Sequence, residues 1–453
     1  MVVVWSVGAL VLVLLLKMLM DKRRCRAMHM ITRTFHPVGQ GAFYSEEFKD
    51  AEGKVRFRIV YDCGSLKSCG LQPKSDGSPL RRSDIEERVE KAFSDEDVID
   101  LLFISHFDDD HVNLISHLMP FKRHHVKKVV LPLLSAEERC LLTGYYLLSD
   151  EVREDAEQSE TLIRLINTPK EFFGECEDVV FVCPYGGDNV NVGRAREPIS
   201  FENLSGDVSS LVEIDISKQM GAKGLSGCWV FVPYNHKPER YAELQDLLKR
   251  AFEDANIKFC LDDLKDIDFV ARNLKVLREC YNGLTDGINR NSMALYSGPA
   301  RHSGIRFVVE DKLGSRDFWL GYYLRQMSSR CVRCGVLAAR PFVVEAPSKF
   351  LNRPGCLYTG DVALRDAGLS TRFQSYADSI GMVQLPHHGS QDSFQGGDLP
   401  IEGRACVATY GEKNKFGHPS LVVKRAVSDR DGFWADVTEL EESRFKVSYV
   451  RKK

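Results

Sequence analysis

A short apolar run, residues 98–105, leads directly into His106-Phe107-Asp108-Asp109-Asp110-His111. The run has the length and composition of a buried strand. Imidazoles and carboxylates alternate in the segment that follows, and at a strand-to-helix turn they can converge on one point. Left unpaired, ionisable groups this close together cost free energy through repulsion and desolvation, which a divalent cation relieves. The alternative is an exposed acidic loop in which Asp109 and Asp110 cap the next helix.

Three later segments place similar side chains after short apolar runs. They are Tyr358-Thr359-Gly360-Asp361, Pro386-His387-His388-Gly389-Ser390 and Asn414-Lys415-Phe416-Gly417-His418-Pro419. Each of them alone is more typical of a turn or a surface loop. Four such segments in chain order, each at a strand end, predict instead that their carboxylates and imidazoles meet at one metal centre.

Strand signals alternate with helical periodicity along the chain, which is typical of a layered α/β fold. The strand signals fall at residues 55–61, 127–134, 179–182, 229–232, 293–296, 342–344, 357–358, 381–385, 405–409 and 445–450. The helical signals fall at residues 82–93, 114–118, 137–165 and 240–279, and Ser83 and Glu86 have the spacing of a capping box. Because no linker-like composition separates these segments, we expect one domain with insertions.

The composition excludes several classes of protein. Of the 453 residues, 43% are apolar and 28% are charged, which argues against a disordered chain. Acidic residues (64) nearly balance basic ones (61), so the chain as a whole is not a basic nucleic-acid coat. Thirteen scattered cysteines favour free thiols in a reducing compartment over a secreted disulfide framework. The close pair Cys331 and Cys334 has no second pair at zinc-ligand spacing and is interpreted as structural.

The N-terminus is a separate question. Residues 2–20 are almost wholly apolar and are followed by Lys22, Arg23, Arg24 and Arg26. One interpretation is a membrane anchor at the inner face of the membrane, with the body held in the cytoplasm by the positive-inside rule. The other is a spurious extension upstream of a start at Met28 or Met30. A cleaved signal peptide fits poorly, since no basic segment precedes the apolar stretch.

These motifs resemble those of the metallo-β-lactamase fold superfamily. His106-x-Asp108-x-Asp110-His111 is similar to its HxHxDH signature, with Asp108 in place of the second histidine. The resemblance is closest to the metallo-hydrolase domain of ComEC-type DNA-uptake proteins and its stand-alone relatives. The matching islands between residues 31 and 420 are Val38-Gly39-Gln40-Gly41, Asn291-Ser292-Met293-Ala294-Leu295, Gly360-Asp361, His387-His388-Gly389-Ser390 and Asn414-Lys415-Phe416-Gly417-His418-Pro419.

The resemblance implies an α/β fold, a four-layer αβ/βα sandwich with a large inserted mixed or helical region. We expect the first half of the metallo-β-lactamase domain at residues 30–135 and the second half at residues 286–453. Residues 136–285 have no counterpart in the family and are interpreted as a partly helical insertion. Residues 1–27 are the anchor or extension described above.

The resemblance also implies a centre of two divalent metal ions roughly 3.5–4 Å apart that activates a water molecule. Zn²⁺ is the expected ion, with Mn²⁺ or Mg²⁺ as alternatives. The implied metal ligands are His106, Asp108, Asp110, His111, Asp361 and His388, and Asp361 is expected to bridge the two ions. Asp62 is the carboxylate expected to orient a ligand histidine. The catalytic candidates are Asp110, His387 and His418.

Two departures from the family pattern affect this expectation. Asp108 makes the first metal position rich in oxygen, which favours Mn²⁺ or Mg²⁺ there or leaves that position weakly occupied. The second position, with Asp110, His111, Asp361 and His388, has the ligands that suit Zn²⁺. The separate mid-chain histidine of the family is not evident. His236 could supply an extra ligand or substrate contact, and Asn289 or Asn291 fits by position equally well.

The implied reaction is hydrolysis of a phosphodiester, with a nucleic acid as the suspected substrate. The basic stretch at residues 122–128 could follow a phosphate backbone, or it could be a solvated loop. One alternative is a hydrolase of small esters, lactones or phosphomonoesters. Another is a non-catalytic sensor or scaffold with a decayed metal site. The sequence indicates no particular protein partner.

Overall fold

The computed structural model describes most of the chain downstream of residue 29. The described residues are 30–67, 70–74, 77–94, 96–118, 125–148, 156–174, 176–186, 197–219, 228–236, 240–283, 292–301, 307–309, 353–394 and 399–451. The predicted anchor at residues 2–20, the predicted strand at residues 342–344 and the Cys331/Cys334 pair lie outside them. Among the described residues, no helix combines the length and the apolar character needed to cross a membrane.

The described strands form two sheets. Sheet one has nine strands. In chain order they are β1 (Met30–Phe35), β2 (Phe43–Lys49), β3 (Val55–Cys63), β4 (Val98–Phe103), β5 (His125–Pro132), β6 (Asp178–Cys183), β8 (Asp207–Ser209), β12 (Phe307–Val309) and β17 (Phe445–Arg451). Their order across the sheet is β12-β17-β1-β2-β3-β4-β5-β6-β8, and β3, β4, β5, β6 and β8 run parallel.

Sheet two has eight strands in the order β16-β15-β14-β13-β11-β10-β9-β7. Strands β13 to β16 run parallel, whereas β10 and β11 pair antiparallel. In chain order its strands are β7 (Ile199–Ser200), β9 (Ile214–Asp215), β10 (Val230–Asn235), β11 (Met293–Gly298), β13 (Gly355–Tyr358), β14 (Ile380–Gln384), β15 (Ala405–Thr409) and β16 (Phe433–Val437).

Helices connect these strands. They are α1 (Arg82–Glu90), α2 (Asp109–Val112), α3 (Ile115–Leu118), α4 (Ala136–Leu148), α5 (Ala156–Asn167), α6 (Pro169–Phe173), α7 (Arg240–Asp254), α8 (Ile267–Arg272), α9 (Leu274–Asn282), α10 (Leu364–Ala367), α11 (Leu369–Arg372), α12 (Gln391–Phe394) and α13 (Leu421–Asp429). Short 3₁₀ turns lie at Phe201–Asn203, Leu261–Lys265, Gln374–Tyr376, Pro386–Gly389 and Glu441–Ser443.

Three clusters of buried apolar side chains show how the sheets and helices pack on one another. Successive side chains of a strand face opposite sides of its sheet, and Phe103 of β4 packs between the two sheets while Leu102 packs against the helices on the outer face. In sheet two, Phe231 faces sheet one, whereas Val232 joins the cluster on the far side with side chains of α10 to α13. The expectation of an α/β sandwich is therefore confirmed.

The local predictions have mixed outcomes. The predicted capping box is wrong, because α1 begins at Arg82 and Ser83 already lies in its first turn. The backbone N–H of Arg81 instead donates to Asp84 Oδ2 at 2.7 Å. The helix predicted at residues 137–165 is described as two, α4 and α5. Strand β16 was not predicted, since its polar Asp436 interrupts the apolar run.

The segment interpreted as an insertion contributes to both sheets. Besides the helices α4 to α9, residues 136–285 supply β6 and β8 to sheet one and β7, β9 and β10 to sheet two. The domain boundaries within the chain stay a prediction. For the site, the relevant fact is that helix α4 follows directly after β5, beside the segment that carries His106 to His111.

Candidate metal centre

The carboxyl ends of parallel strands from both sheets meet at one place. Strand β3 ends beside Asp62, β4 leads to the segment of residues 105–111, and in sheet two β13 leads to Asp361 and β14 to His387 and His388. Ligands of open α/β sheets commonly bind at this edge. The fold therefore explains why chemically active residues follow strands at widely separated points of the sequence.

His111 lies at the middle of the cluster and is fully buried. Its Nδ1 is 2.9 Å from Asp62 Oδ2, and its Nε2 is 3.1 Å from Asp361 Oδ1. In the neutral imidazole, the bond to Asp62 places the proton on Nδ1, so that the lone pair of Nε2 is available to a cation. Asp62 thus has the contact expected of a residue that orients a histidine.

His106 follows the same pattern with a serine between. Its Nδ1 is 2.8 Å from Ser105 Oγ, and that hydroxyl donates to Asp62 Oδ2 at 2.6 Å. Because the serine proton is used for Asp62, the imidazole must donate from Nδ1. His106 Nε2 then faces two carboxylates, at 3.5 Å from Asp108 Oδ2 and 3.9 Å from Asp361 Oδ2.

His388 uses a backbone acceptor instead. Its Nδ1 donates to the carbonyl of Thr409, the last residue of β15, at 2.7 Å, and its Nε2 is 3.0 Å from Asp110 Oδ2. The residue has a left-handed φ of 57°, as does its neighbour His387 at 47°. Such backbone strain in non-glycine residues concentrates at functional sites.

The potential ligand atoms fall into two overlapping groups. The first group is His106, His111 and Asp361, and the second group is Asp110, His111 and His388, with the ligand atoms of each group within 4.8 Å of one another. The sequence motifs predict His111 at the second position alone and Asp361 at both, whereas the structure places His111 in both groups and Asp361 in the first. Asp108 belongs to neither group, but its Oδ2 lies beside His106.

Three buried atoms of the first group make no hydrogen bond to any residue that the structure describes. They are His106 Nε2, His111 Nε2 and Asp361 Oδ1. Buried polar atoms are almost always paired, so these three call for an explanation. Donor atoms around a tetrahedral ion with bonds of about 2.1 Å are about 3.4 Å apart. The closest imidazole–carboxylate separations here are 3.0 to 4.0 Å, and all ligand atoms of each group lie within 4.8 Å of one another. The residues therefore fit divalent cations.

The electrostatics of the cluster agree with this interpretation. Burial alone would lower the pKa of His111, but Asp361 and Asp110 raise that pKa well above its usual value. Burial opposes the ionised form of Asp361, yet His111 and His387 hold its pKa well below the usual value. In the absence of a cation, protons on imidazoles compensate the carboxylates.

The two other catalytic candidates lie at the solvent side of the cluster. The side chain of His387 is 45% exposed, with Nε2 3.8 Å from Asp361 Oδ2, and its ring centroid is 5.2 Å from that of His418. Burial together with His387 and His388 lowers the pKa of His418 to about 4. His418 is therefore neutral near pH 7 and is better suited to accept a proton than to donate one.

Other predicted residues have less direct connections. His236 follows β10 and stacks on Tyr234, and it belongs to neither group of potential ligands. Asn289 and Asn291 lie outside the described residues. Asp109 accepts from the side chain of Asn113 at 2.9 Å and lies in the first turn of α2, whose N-cap is Asp108.

The basic stretch at residues 122–128 is only partly described. Lys128 is buried and donates to the carbonyl of Leu204 at 2.7 Å, so this side chain faces neither solvent nor a phosphate backbone. Lys127 pairs with Asp100 at 2.7 Å. Residues 122–124 lie outside the described part of the chain.

Sequence reasoning missed several residues that shape the site. Ser292 Oγ accepts from the backbone N–H of Asp361 at 3.0 Å and lies 3.3 Å from His106 Nδ1. Gly64 packs against the backbone of Asp110, where a Cβ would lie 2.4 Å from a carbonyl carbon. Tyr146 donates to Asp108 Oδ1 at 2.7 Å. Ser292 lies in the motif island at residues 291–295, but no motif indicates the contacts of these three residues, because the contacts arise between distant segments.

Comparisons with known proteins add little. No protein-family model matches the sequence, and no curated protein matches it. Among solved structures, the crystal structure of unliganded yeast PDE1 is similar over 93% of this chain and 100% of its own length, at 10% sequence identity and a TM-score of 0.35. A TM-score of this size does not establish a common fold, and nothing about the reaction of this chain follows from it.

Proposed function

We propose that this protein is a metal-dependent hydrolase of the metallo-β-lactamase fold that cleaves phosphodiesters, with a nuclease-type activity. One observation carries the metal-dependent part. Three buried imidazoles, those of His106, His111 and His388, each engage Nδ1 with an oxygen and turn Nε2 towards a carboxylate. Histidines that bind metals are typically oriented in this way through their second nitrogen.

The ions would be held by the two groups, and Asp361 contacts His106 and His111. His111 Nε2 lies close to both groups and has one lone pair, so it would ligate only one of the two ions. When bound, divalent ions lower the pKa of water, so that hydrolysis can proceed at neutral pH. The second group contains two imidazoles and one carboxylate and suits Zn²⁺. Asp108 adds oxygen beside the first group, which favours Mn²⁺ or Mg²⁺ there.

Residues at the solvent side would handle the substrate. His387 is half-exposed and lies next to Asp361, where an imidazolium can bind a phosphate oxygen or protonate a leaving group. The ring of His418, which is neutral near pH 7, lies 5.2 Å from that of His387 between centroids. Asp108 and Asp110 retain 20% and 14% exposure of their side chains, so the cluster is open to a substrate from the same side.

The substrate class rests on the sequence motifs. The islands Gly360-Asp361, His387-His388-Gly389-Ser390 and Asn414-Lys415-Phe416-Gly417-His418-Pro419 resemble those of ComEC-type metallo-hydrolases, which implies a phosphodiester. In the structure, the residues of these islands lie near one another, since His387 is close to both Asp361 and His418. This proximity supports a common role for the three motifs.

The test is a hydrolysis screen of the full chain supplemented with Zn²⁺, Mn²⁺ or Mg²⁺. The substrates are bis-(p-nitrophenyl) phosphate, single-stranded DNA, RNA, p-nitrophenyl phosphate and simple esters and lactones. Asp110→Asn is compared with Asp109→Asn, its neighbour on α2, which contacts Asn113. We expect phosphodiester turnover that Asp110→Asn abolishes and Asp109→Asn retains.

Each other outcome contradicts a defined part of the proposal. Faster turnover of esters, lactones or phosphomonoesters would assign a small-molecule hydrolase. Metal binding without turnover, or no metal binding at all, would favour a sensor or scaffold. Equal turnover in Asp110→Asn and the unaltered protein would remove Asp110 from the site.

A further inference from the structure

A side chain from outside the metal-binding motifs reaches into the site. Tyr146 lies near the end of α4 and is 3% exposed. Its hydroxyl donates to Asp108 Oδ1 at 2.7 Å, across a sequence separation of 38 residues. A buried tyrosine hydroxyl needs a partner, and here the partner is the residue that stands in place of the second histidine of the family signature.

This contact changes what Asp108 does. Asp108 occupies the N-cap position of α2, where its carbonyl accepts from the backbone N–H of His111 at 2.9 Å. Aspartates at this position normally also accept with the side chain from backbone N–H groups of the first turn. Among the described residues, the Asp108 carboxylate makes no such capping bond. Tyr146 binds Oδ1 instead, and Oδ2 faces His106 Nε2 at 3.5 Å.

Helix α4 is itself firmly placed, so it can act as a fixed support. At its start, the backbone N–H of Ser135 donates to Glu138 Oε2 at 2.6 Å, and the Glu138 N–H donates to Ser135 Oγ at 3.2 Å. These reciprocal bonds form a capping box.

We propose that Tyr146 is a positioning residue that holds Asp108 so that Oδ2 serves as a metal ligand beside His106. This inference rests on the metal centre of the proposed function. According to this inference, helix α4 determines the metal affinity and the metal preference of the first group. A carboxylate with one oxygen fixed by a hydroxyl offers the other oxygen in a defined direction, which strengthens binding of an ion that prefers oxygen, such as Mn²⁺.

The test compares Tyr146→Phe with Tyr281→Phe in the full chain after removal of metals by a chelator. Both variants lose one buried hydroxyl that donates at 2.7 Å, but Tyr281 donates to a backbone carbonyl of α4. Mn²⁺ and Zn²⁺ binding is measured by calorimetry, and Co²⁺ absorption reports the ligand environment. We expect Tyr146→Phe to weaken one of two Mn²⁺ binding events by about 10–100-fold and to change the Co²⁺ spectrum. Tyr281→Phe should leave both unchanged.

A double variant separates positioning from general support. If Tyr146 acts through Asp108, then Asp108→Ala weakens the same Mn²⁺ event, and adding Tyr146→Phe to it causes no further loss. Additive losses, equal losses in Tyr146→Phe and Tyr281→Phe, or unchanged affinity in Tyr146→Phe would overturn the inference and leave the proposed function standing. Absence of any divalent-ion binding by the unaltered protein would overturn both.

Discussion

The two groups of the metal centre are held in place by different parts of the molecule. In the second group, His388 is oriented by the backbone carbonyl of Thr409 at the end of a central strand. In the first group, His106 is oriented by the hydroxyls of Ser105 and Ser292, and its neighbour Asp108 by Tyr146. A strand backbone is fixed by the whole sheet, whereas hydroxyls can be replaced one at a time.

This difference indicates which part of the metal centre can change its affinity or metal preference. In the second group, His388 is preorganised by the strand backbone, and only His111, which both groups share, depends on the side chain of Asp62. The first group depends on side chains drawn from three separate segments. We therefore expect its affinity and metal preference to be adjustable without loss of the fold, and the following predictions test that contrast.

Asp361→Asn should have the largest effect, because its carboxylate lies within 4 Å of His106, His111 and His387. We expect both metal binding events to weaken and hydrolysis of bis-(p-nitrophenyl) phosphate to fall about 10³-fold, a loss typical of a key polar group in an active site. His388→Gln should weaken one binding event only. Metal stoichiometry and turnover measured together check this, and selective loss of a single ion in Asp361→Asn would disprove the predicted bridging of both ions by Asp361.

Asp62→Asn should come next, since Asp62 contacts His111 directly and His106 through Ser105. We expect metal affinity to fall about 10–100-fold. Asp100→Asn is the matched control, because both aspartates are buried and accept a backbone N–H at 2.7–2.8 Å, from Ser105 and Arg58 respectively. Both variants should be less stable to urea, but Asp100→Asn should keep its metal affinity. A common loss of affinity would mean that Asp62 is merely structural.

Ser105→Ala should affect the first group more than the second, by about 10-fold in affinity, at the lower end for such orienting contacts. Ser297→Ala is the control, because its buried hydroxyl also donates to a carboxylate, that of Glu46, at 2.7 Å. Calorimetric titration with Mn²⁺ resolves the two events. Equal weakening of both events in Ser105→Ala would remove the contrast between the groups.

The sequence predicted the parts of this site that follow strands and carry ionisable side chains. The segment of residues 106–111, Asp361 and His388 converge because parallel strands end at a common edge, and an apolar run followed by charged residues is visible in the sequence. Tyr146 could not be predicted in the same way, because its contact depends on how helix α4 packs beside the segment of residues 106–111, and a lone tyrosine has no local pattern to mark it. Ser292 lies within a motif island, but its contacts with His106 and Asp361 could not be read from that motif.

The fold shows the same division. The parallel strands that flank the site, such as β4 and β15, are short apolar runs and were predicted within two residues. Helix α1 begins at residue 82, as predicted, but its capping box was predicted wrongly, because the N-cap is Arg81 and its N–H donates to Asp84. A helix start can be capped by several different hydrogen-bonding arrangements, whereas a short apolar run in the centre of a sheet has few alternatives to a buried strand.

The smallest effect we predict concerns pH and the cost of leaving the centre without a cation. In the metal-free protein the pKa of His111 is raised despite burial, by Asp361 and Asp110. The stability contributed by its proton is fully present below the unfolded-state pKa of about 6.5 and is lost as pH rises through the folded-state pKa. Metal binding requires the neutral imidazole and grows more favourable over the same range. The Tm difference between metal-loaded and metal-free protein should therefore widen with rising pH above about 6.5. Asp361→Asn removes the principal carboxylate beside His111 and should therefore show a smaller widening of the Tm difference. A Tm difference that stays constant with pH in the unaltered protein would contradict this coupling.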